Sequence, residues 1–142
     1  MRHILLASHG GLAAGIYDTL TMIVGDIPHV YVLMLARDDM QSMAQKARDL
    51  FSTFLPDDEI VVVTDMLGSS VNNDMVSLLP EYPQMHLLSG MNMPLVLSLV
   101  TSFDRTLLAE DISELLDVAR DGVVYCNPLV MQSLDDEEDD IL

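Results

Sequence analysis

Apolar residues occupy consecutive positions at Ile4-Leu5-Leu6-Ala7 and again at Ile60-Val61-Val62-Val63. A strand with one solvated face alternates, so unbroken runs of this length belong to parallel strands covered on both sides. They predict strands over residues 3–8 and 60–64, and shorter runs add 30–35 and 85–88. Between the runs the period becomes helical. Leu12, Ile16, Leu20 and Ile23 form one stripe over residues 12–24, closed by Gly25, the residue a left-handed helix end favours. Met40, Met43, Ala47, Leu50 and Phe54 predict a second helix over 40–54, with Asp38 or Asp39 as its cap and Pro56 beyond its end. Further helices are expected over 71–79, over 94–103 with Pro94 in the first turn, and over 112–120, where Asp111 and Glu114 resemble a capping box. Val123-Val124-Tyr125, after the break at Gly122, reads as a last strand. Strands alternating with helices define βαβ units, hence an α/β fold with an open, mostly parallel sheet and helices on both faces.

Length and charge narrow the picture. A chain of 142 residues, half of them hydrophobic, fits one domain with a substantial core. Six Lys and Arg against 23 Asp and Glu give a net charge of −17, which repels nucleic acid and anionic lipid. The most apolar stretch, residues 91–100, is about half the length that crosses a bilayer. A single cysteine, Cys126, and an amino terminus that starts directly in a strand-like run read as cytoplasmic. The end of the chain differs in kind. Residues 1–134 form the expected domain, and 135–142, with the run Asp135-Asp136-Glu137-Glu138-Asp139-Asp140, reads as an acidic tail that is solvated and disordered.

In an open parallel sheet, loops at the carboxyl ends of the strands diverge where the strand order reverses, leaving a crevice. With right-handed crossovers, an order of 2-1-3-4 puts that crevice between the first and third strands. The loops concerned are Ser8-His9-Gly10-Gly11 and the run from Thr64 to Ser70, so His9 and Asp65 are expected to face one another. A carboxylate that accepts a hydrogen bond from one imidazole nitrogen fixes the tautomer and leaves the other nitrogen nucleophilic. Gly10 and Gly11 let backbone amides approach a tetrahedral anion at a helix start, and Ser69 and Ser70 can add hydroxyl donors. Ser69 is equally explained as turn chemistry beside Gly68. These residues together suit a phosphoryl group carried on His9.

Other motifs fail on the letters. Residues 10–15 match G-x-x-x-x-G, but Ile16 and Tyr17 stand where a nucleotide loop needs Lys and Ser or Thr. Leu12 breaks the dinucleotide fingerprint. His3, His9, His29 and His86 show no close metal-ligand spacing, so no metal and no cofactor is expected. Asp65 after the third strand leaves open a receiver-like module phosphorylated on Asp65, although His9 and two glycines stand where such a module needs acidic Mg²⁺ ligands. A binding module with no phosphotransfer, docking a basic partner on its acidic surface, is the remaining alternative.

His9-Gly10 after the first strand, Thr64-Asp65-x-x-Gly68-x-Ser70-x-x-Asn73 after the third, and Ser89-Gly90-Met91-Asn92-Met93-Pro94-Leu95 after the fourth together resemble the mannose-family enzyme IIA domain of the bacterial sugar phosphotransferase system. The resemblance covers residues 1 to about 130. It implies a phosphocarrier that takes a phosphoryl group from HPr on His9 and hands it to a cognate enzyme IIB. Enzyme IIB then serves sugar uptake through membrane enzymes IIC and IID. By the same likeness, Nε2 carries the group, Asp65 orients the ring through Nδ1, and Ser70 helps hold the phosphate. The family fold has strand order 2-1-3-4 with a last antiparallel strand exchanged across a homodimer, which here implies residues 123–126. Many members have Gly-Gly-Ser-Pro where this chain has Gly68-Ser69-Ser70-Val71, and Leu67 replaces a common aromatic residue. The related phosphocarrier subunit of dihydroxyacetone kinase shares the histidine and fold, so such a kinase is an alternative recipient.

Overall fold

The computed structural model describes residues 1–141. Four strands, β1 (Arg2–His9), β2 (Val30–Leu35), β3 (Glu59–Thr64) and β4 (His86–Ser89), form one parallel sheet in the order β2-β1-β3-β4. The helices are α1 (Leu12–Val24), α2 (Met43–Phe51), α3 (Ser70–Leu78), α4 (Met93–Thr101), α5 (Ala109–Asp121) and α6 (Asn127–Ile141).

The consecutive apolar residues of the central strands divide between two cores, because successive side chains point to opposite faces. Ile4, Leu6, Val61 and Val63 pack with α1, α4 and α5 residues, including Leu20, Leu95, Leu99 and Leu115. Leu5, Ala7 and Val62 pack on the other face with α2 and α3, through Met43, Ala47, Phe51, Val71, Met75 and Leu78. That division explains why neither strand alternates. The chain leaves β1 toward β2 by way of α1 on one face, then crosses back over β1 to β3 by way of α2 on the other. The winding reverses between β1 and β3, and a crevice opens there at the carboxyl ends of both strands.

Several helix ends fall elsewhere than the sequence suggested. α2 begins three residues later than expected, because Ser42 rather than Asp38 or Asp39 takes the cap, its hydroxyl accepting from the Gln45 N–H. Asp39 is instead held by the Ala36 N–H and the Lys46 ammonium. α5 begins at Ala109, where Asp111 accepts from the Leu108 N–H, and Glu114 takes no part in that cap. Gly122 ends α5 with an ordinary φ of −76°. Its lack of a side chain is required by packing: a Cβ there lies 2.6 Å from the Pro94 ring in α4.

The carboxyl-terminal part of the chain differs from the expected elements in two places. Residues 123–126 form no strand; Val123, Val124 and Tyr125 are exposed and join no ladder among the described residues. An exchanged strand pairs with the sheet of a second copy of the chain, so its ladder is not one that a single chain makes. The acidic run 135–140, expected to be disordered, lies within α6, whose side chains on Leu129, Val130, Met131 and Leu134 are exposed. Asn127 and Pro128 start that helix, and good helix formers follow before the carboxylates begin. No helix among the described residues is long and apolar enough to cross a membrane.

Candidate functional site

The register of the sheet assembles the site. Ala7 pairs with Thr64, the last residue of β3, so Asp65 turns out of the sheet beside the end of β1 while β1 continues to His9. One Asp65 oxygen, Oδ2, accepts both the His9 backbone N–H at 2.8 Å and His9 Nδ1 at 2.9 Å. A carboxylate can only accept, so the proton of the ring is on Nδ1 and the lone pair is on Nε2. Ser70 Oγ lies 2.8 Å from Nε2 and donates to it. His9 is thus held by an acceptor on one nitrogen and a donor on the other, with its side chain 47% exposed against 12% for Asp65.

Asp65 is itself fixed by its other oxygen, which accepts the Met66 N–H at 2.8 Å and the Ser69 hydroxyl at 2.9 Å. Burial pushes this carboxyl up, but the bonds from the His9 N–H, the His9 ring, Ser69 and Met66 outweigh it and hold the group below the ordinary carboxylate range. Ser69 also caps α3 by accepting the Asn72 N–H. Gly68 precedes it with φ of +83°, a left-handed conformation that a side chain resists. Thr64 and Asn72, both buried, bond to each other at 2.7 Å and tie the start of α3 to the end of β3. A polar network of this kind leaves the aspartate few alternative positions.

The glycines after His9 play unequal parts. Gly10 has φ of +53°, and its N–H donates to the Leu35 carbonyl at the end of β2, so that amide is already engaged. Gly11 has an ordinary φ of −88°, and a Cβ placed on it meets nothing within 4 Å, so the fold alone does not demand glycine there. Ser8, which the sequence reading passed over, is fully buried. Its hydroxyl accepts the Ala13 N–H in the first turn of α1 and donates to the Gly10 carbonyl, which fixes the bend carrying His9. A polar residue ending an apolar strand was the available signal, since a buried hydroxyl needs partners.

The structure therefore brings His9, Asp65 and Ser70 into direct contact and places Ser69 behind Asp65. Gly10 and Gly11 lie in the bend between β1 and α1. A cleft beside the ring is lined by His9, Gly10, Leu35, Ala36, Arg37 and Ser70. Arg37 was invisible to sequence reasoning, because its place beside His9 depends on β2 pairing with β1. The third motif is structural. Asn92 caps α4 by accepting the Leu95 N–H, and it donates to the Ala119 carbonyl of α5. Cys126 is exposed and remote in sequence from both loops.

The class the fold and site define is a doubly wound parallel sheet with an exposed histidine, bonded to a carboxylate and a serine hydroxyl, at its switch point. The chain belongs to the mannose-type EIIA family, described as the PTS system fructose IIA component, whose model matches residues 3–116. It is a IIA component of the sugar phosphotransferase system. The sorbose-specific EIIA component of Klebsiella pneumoniae is 29% identical over 114 residues, 80% of this chain and 83% of that one. A solved structure from the same organism, assigned to a phosphoenolpyruvate-dependent sugar phosphotransferase system permease, is 35% identical with a TM-score of 0.77, covering 91% of this chain and 93% of that one. The PTS IIA protein associated with the fucose utilization operon of Streptococcus pneumoniae is 28% identical, also with a TM-score of 0.77, over 94% and 96% of the two chains.

Proposed function

We propose that this protein is a cytoplasmic phosphohistidine carrier, which accepts a phosphoryl group from HPr on Nε2 of His9 and passes it to a cognate enzyme IIB. The observation that carries the reading is the pair of contacts on the ring, Asp65 on Nδ1 and Ser70 on Nε2. In the transfer, the Nε2 lone pair attacks phosphorus and the bond from phosphorus to the donor imidazole nitrogen breaks. The bonding electrons stay on that donor nitrogen. No net proton moves, because the Nδ1 proton remains hydrogen-bonded to Asp65, whose charge offsets the positive charge the ring acquires. The onward step to enzyme IIB is the same displacement in reverse.

Ser70 must release the Nε2 lone pair before attack, and its hydroxyl then donates to a phosphoryl oxygen. Gly11, with open space where a side chain would stand, leaves room for the group. Gly10 acts through the backbone bend and Ser69 through Asp65. A receiver-like role for Asp65 is disfavoured, since both its oxygens already accept two hydrogen bonds. Likeness to a sorbose-specific EIIA supports a sugar permease, working through enzymes IIC and IID, over a kinase as the eventual recipient. The exposed residues 123–125 support a homodimer in which that segment pairs with a second copy.

The test is incubation with phosphoenolpyruvate, enzyme I and HPr, scoring acid-labile phosphate on the protein. The wild type is expected to be labelled and His9→Ala to take up none. Labelling of His9→Ala, or a base-labile acyl phosphate on Asp65, overturns the assignment.

A further inference from the structure

The transferred group is a dianion, and it must be accommodated on a chain of net charge −17 beside the Asp65 carboxylate. Backbone amides and hydroxyls solvate such a group but do not neutralise it. Which cation serves the site is therefore a question the −17 chain itself raises.

The chain has six basic side chains, and five are committed elsewhere. Arg2 pairs with Glu59, Lys46 with Asp39, Arg48 with Glu81, Arg105 with Asp111 and Arg120 with Asp117. Arg37 alone makes no ion pair or side-chain hydrogen bond among the described residues, although 23 carboxylates are present in the sequence. It also lines the cleft beside the nucleophile, together with His9 and Ser70. The placement follows from the sheet. His9 is in register with Leu35, and the Gly10 N–H bonds to the Leu35 carbonyl, so the chain leaving β2 runs beside the His9 bend and carries Arg37 two residues further on. Asp65 cannot capture it as a salt-bridge partner without giving up one of its four donors.

We propose that Arg37 is the cation of the phosphorylated site, its guanidinium binding the phosphoryl oxygens once the group is on His9 Nε2. This rests on the phosphocarrier reading. A guanidinium suits the task, since its planar fork presents two parallel N–H donors to a tetrahedral oxyanion. With no carboxylate to leave, it reaches the incoming group without first breaking an ion pair. In the uncharged protein Arg37 is an exposed cation at the edge of the cleft, available to meet the donor's phosphoryl group before His9 does.

The experiment charges wild type, Arg37→Ala and Arg37→Lys in two ways, with phosphoramidate, which needs no protein donor, and with phospho-HPr. The ³¹P signal of phospho-His9 is assigned by its loss in His9→Ala and followed against pH. Arg37→Ala is expected to move the titration of the phosphoryl group to higher pH, because a bound cation favours the dianion, and Arg37→Lys to restore part of the shift. The equilibrium of transfer from phospho-HPr is expected to fall on the order of five- to tenfold in Arg37→Ala. Identical titration and equilibrium in wild type and Arg37→Ala overturn the proposal. A wild type that phosphoramidate charges with an Arg37-dependent titration, but that takes nothing from phospho-HPr, overturns the carrier reading and upholds the contact. A wild type charged by neither route overturns both.

Discussion

Replacing Asp65 with asparagine separates charge from shape at the point where the site is most constrained. The carboxylate accepts four hydrogen bonds, two on each oxygen, from the His9 N–H, His9 Nδ1, the Met66 N–H and the Ser69 hydroxyl. A carboxamide has one acceptor oxygen. Turned toward His9, it keeps two bonds in weaker, uncharged form and sets its NH₂ against the Met66 N–H. Turned the other way, it meets His9 as a donor, and the ring must move its proton to Nε2, which removes the nucleophilic lone pair. Charge-assisted bonds are about twice as strong as neutral ones, so weakening the two to His9 costs about 2–3 kcal/mol in the transition state, roughly 30- to 150-fold in rate. Single-turnover uptake from phospho-HPr, read by rapid quench, is expected to slow by that factor in Asp65→Asn. The ¹⁵N shifts of the ring should show a growing share of the Nε2–H tautomer, with the far-ultraviolet circular dichroism unchanged. A variant that transfers within threefold of wild type with an unchanged tautomer refutes the orienting role.

Two further predictions concern the scaffold. Gly122→Ala puts a methyl 2.6 Å from the Pro94 ring, an overpacked contact between the end of α5 and the start of α4, and should cost about 1–3 kcal/mol, measured as a lower urea midpoint; an unchanged midpoint means that the contact relaxes freely. In acid, the Asp58 carboxyl is held below its ordinary range chiefly by the His3 ring, against the opposing effect of burial and with help from the Leu55 N–H and the amino terminus. A carboxyl lowered in the folded state contributes stability that is complete above its unfolded titration and is lost as pH falls through the folded one. Thermal melts from pH 7 down to pH 3 should therefore decline less steeply for Asp58→Asn than for wild type, and parallel curves disprove the linkage.

What the sequence disclosed followed from how local each signal is. Strands β1 and β3 were readable because burial on both faces leaves a short, unbroken run of apolar letters of strand length. His9 and Asp65 stood out because each is a polar side chain placed directly after such a run. Arg37 carried no local mark, since its neighbours Ala36 and Asp38 say nothing of His9 and only the β1–β2 register brings them together. Ser42 and Asp39 show another limit: both are good caps by type, and the choice went to the one whose hydroxyl reaches the Gln45 N–H while Asp39 was held by Ala36 and Lys46. Residues 123–125 have strand-like side chains, but a strand exists only with a partner, and no periodicity can reveal whether one is present.

The contact between His9 and Asp65 joins positions 56 residues apart, with β2, α1 and α2 lying between them in the chain. The His9 ring has nothing to fix its tautomer until β3 has docked beside β1, and no hydroxyl on Nε2 until α3 has begun. A chain that ends before residue 65 holds His9 without either of its ring contacts. On the proposed reading, competence for phosphoryl transfer is thus a property of the assembled sheet and not of the histidine's own loop.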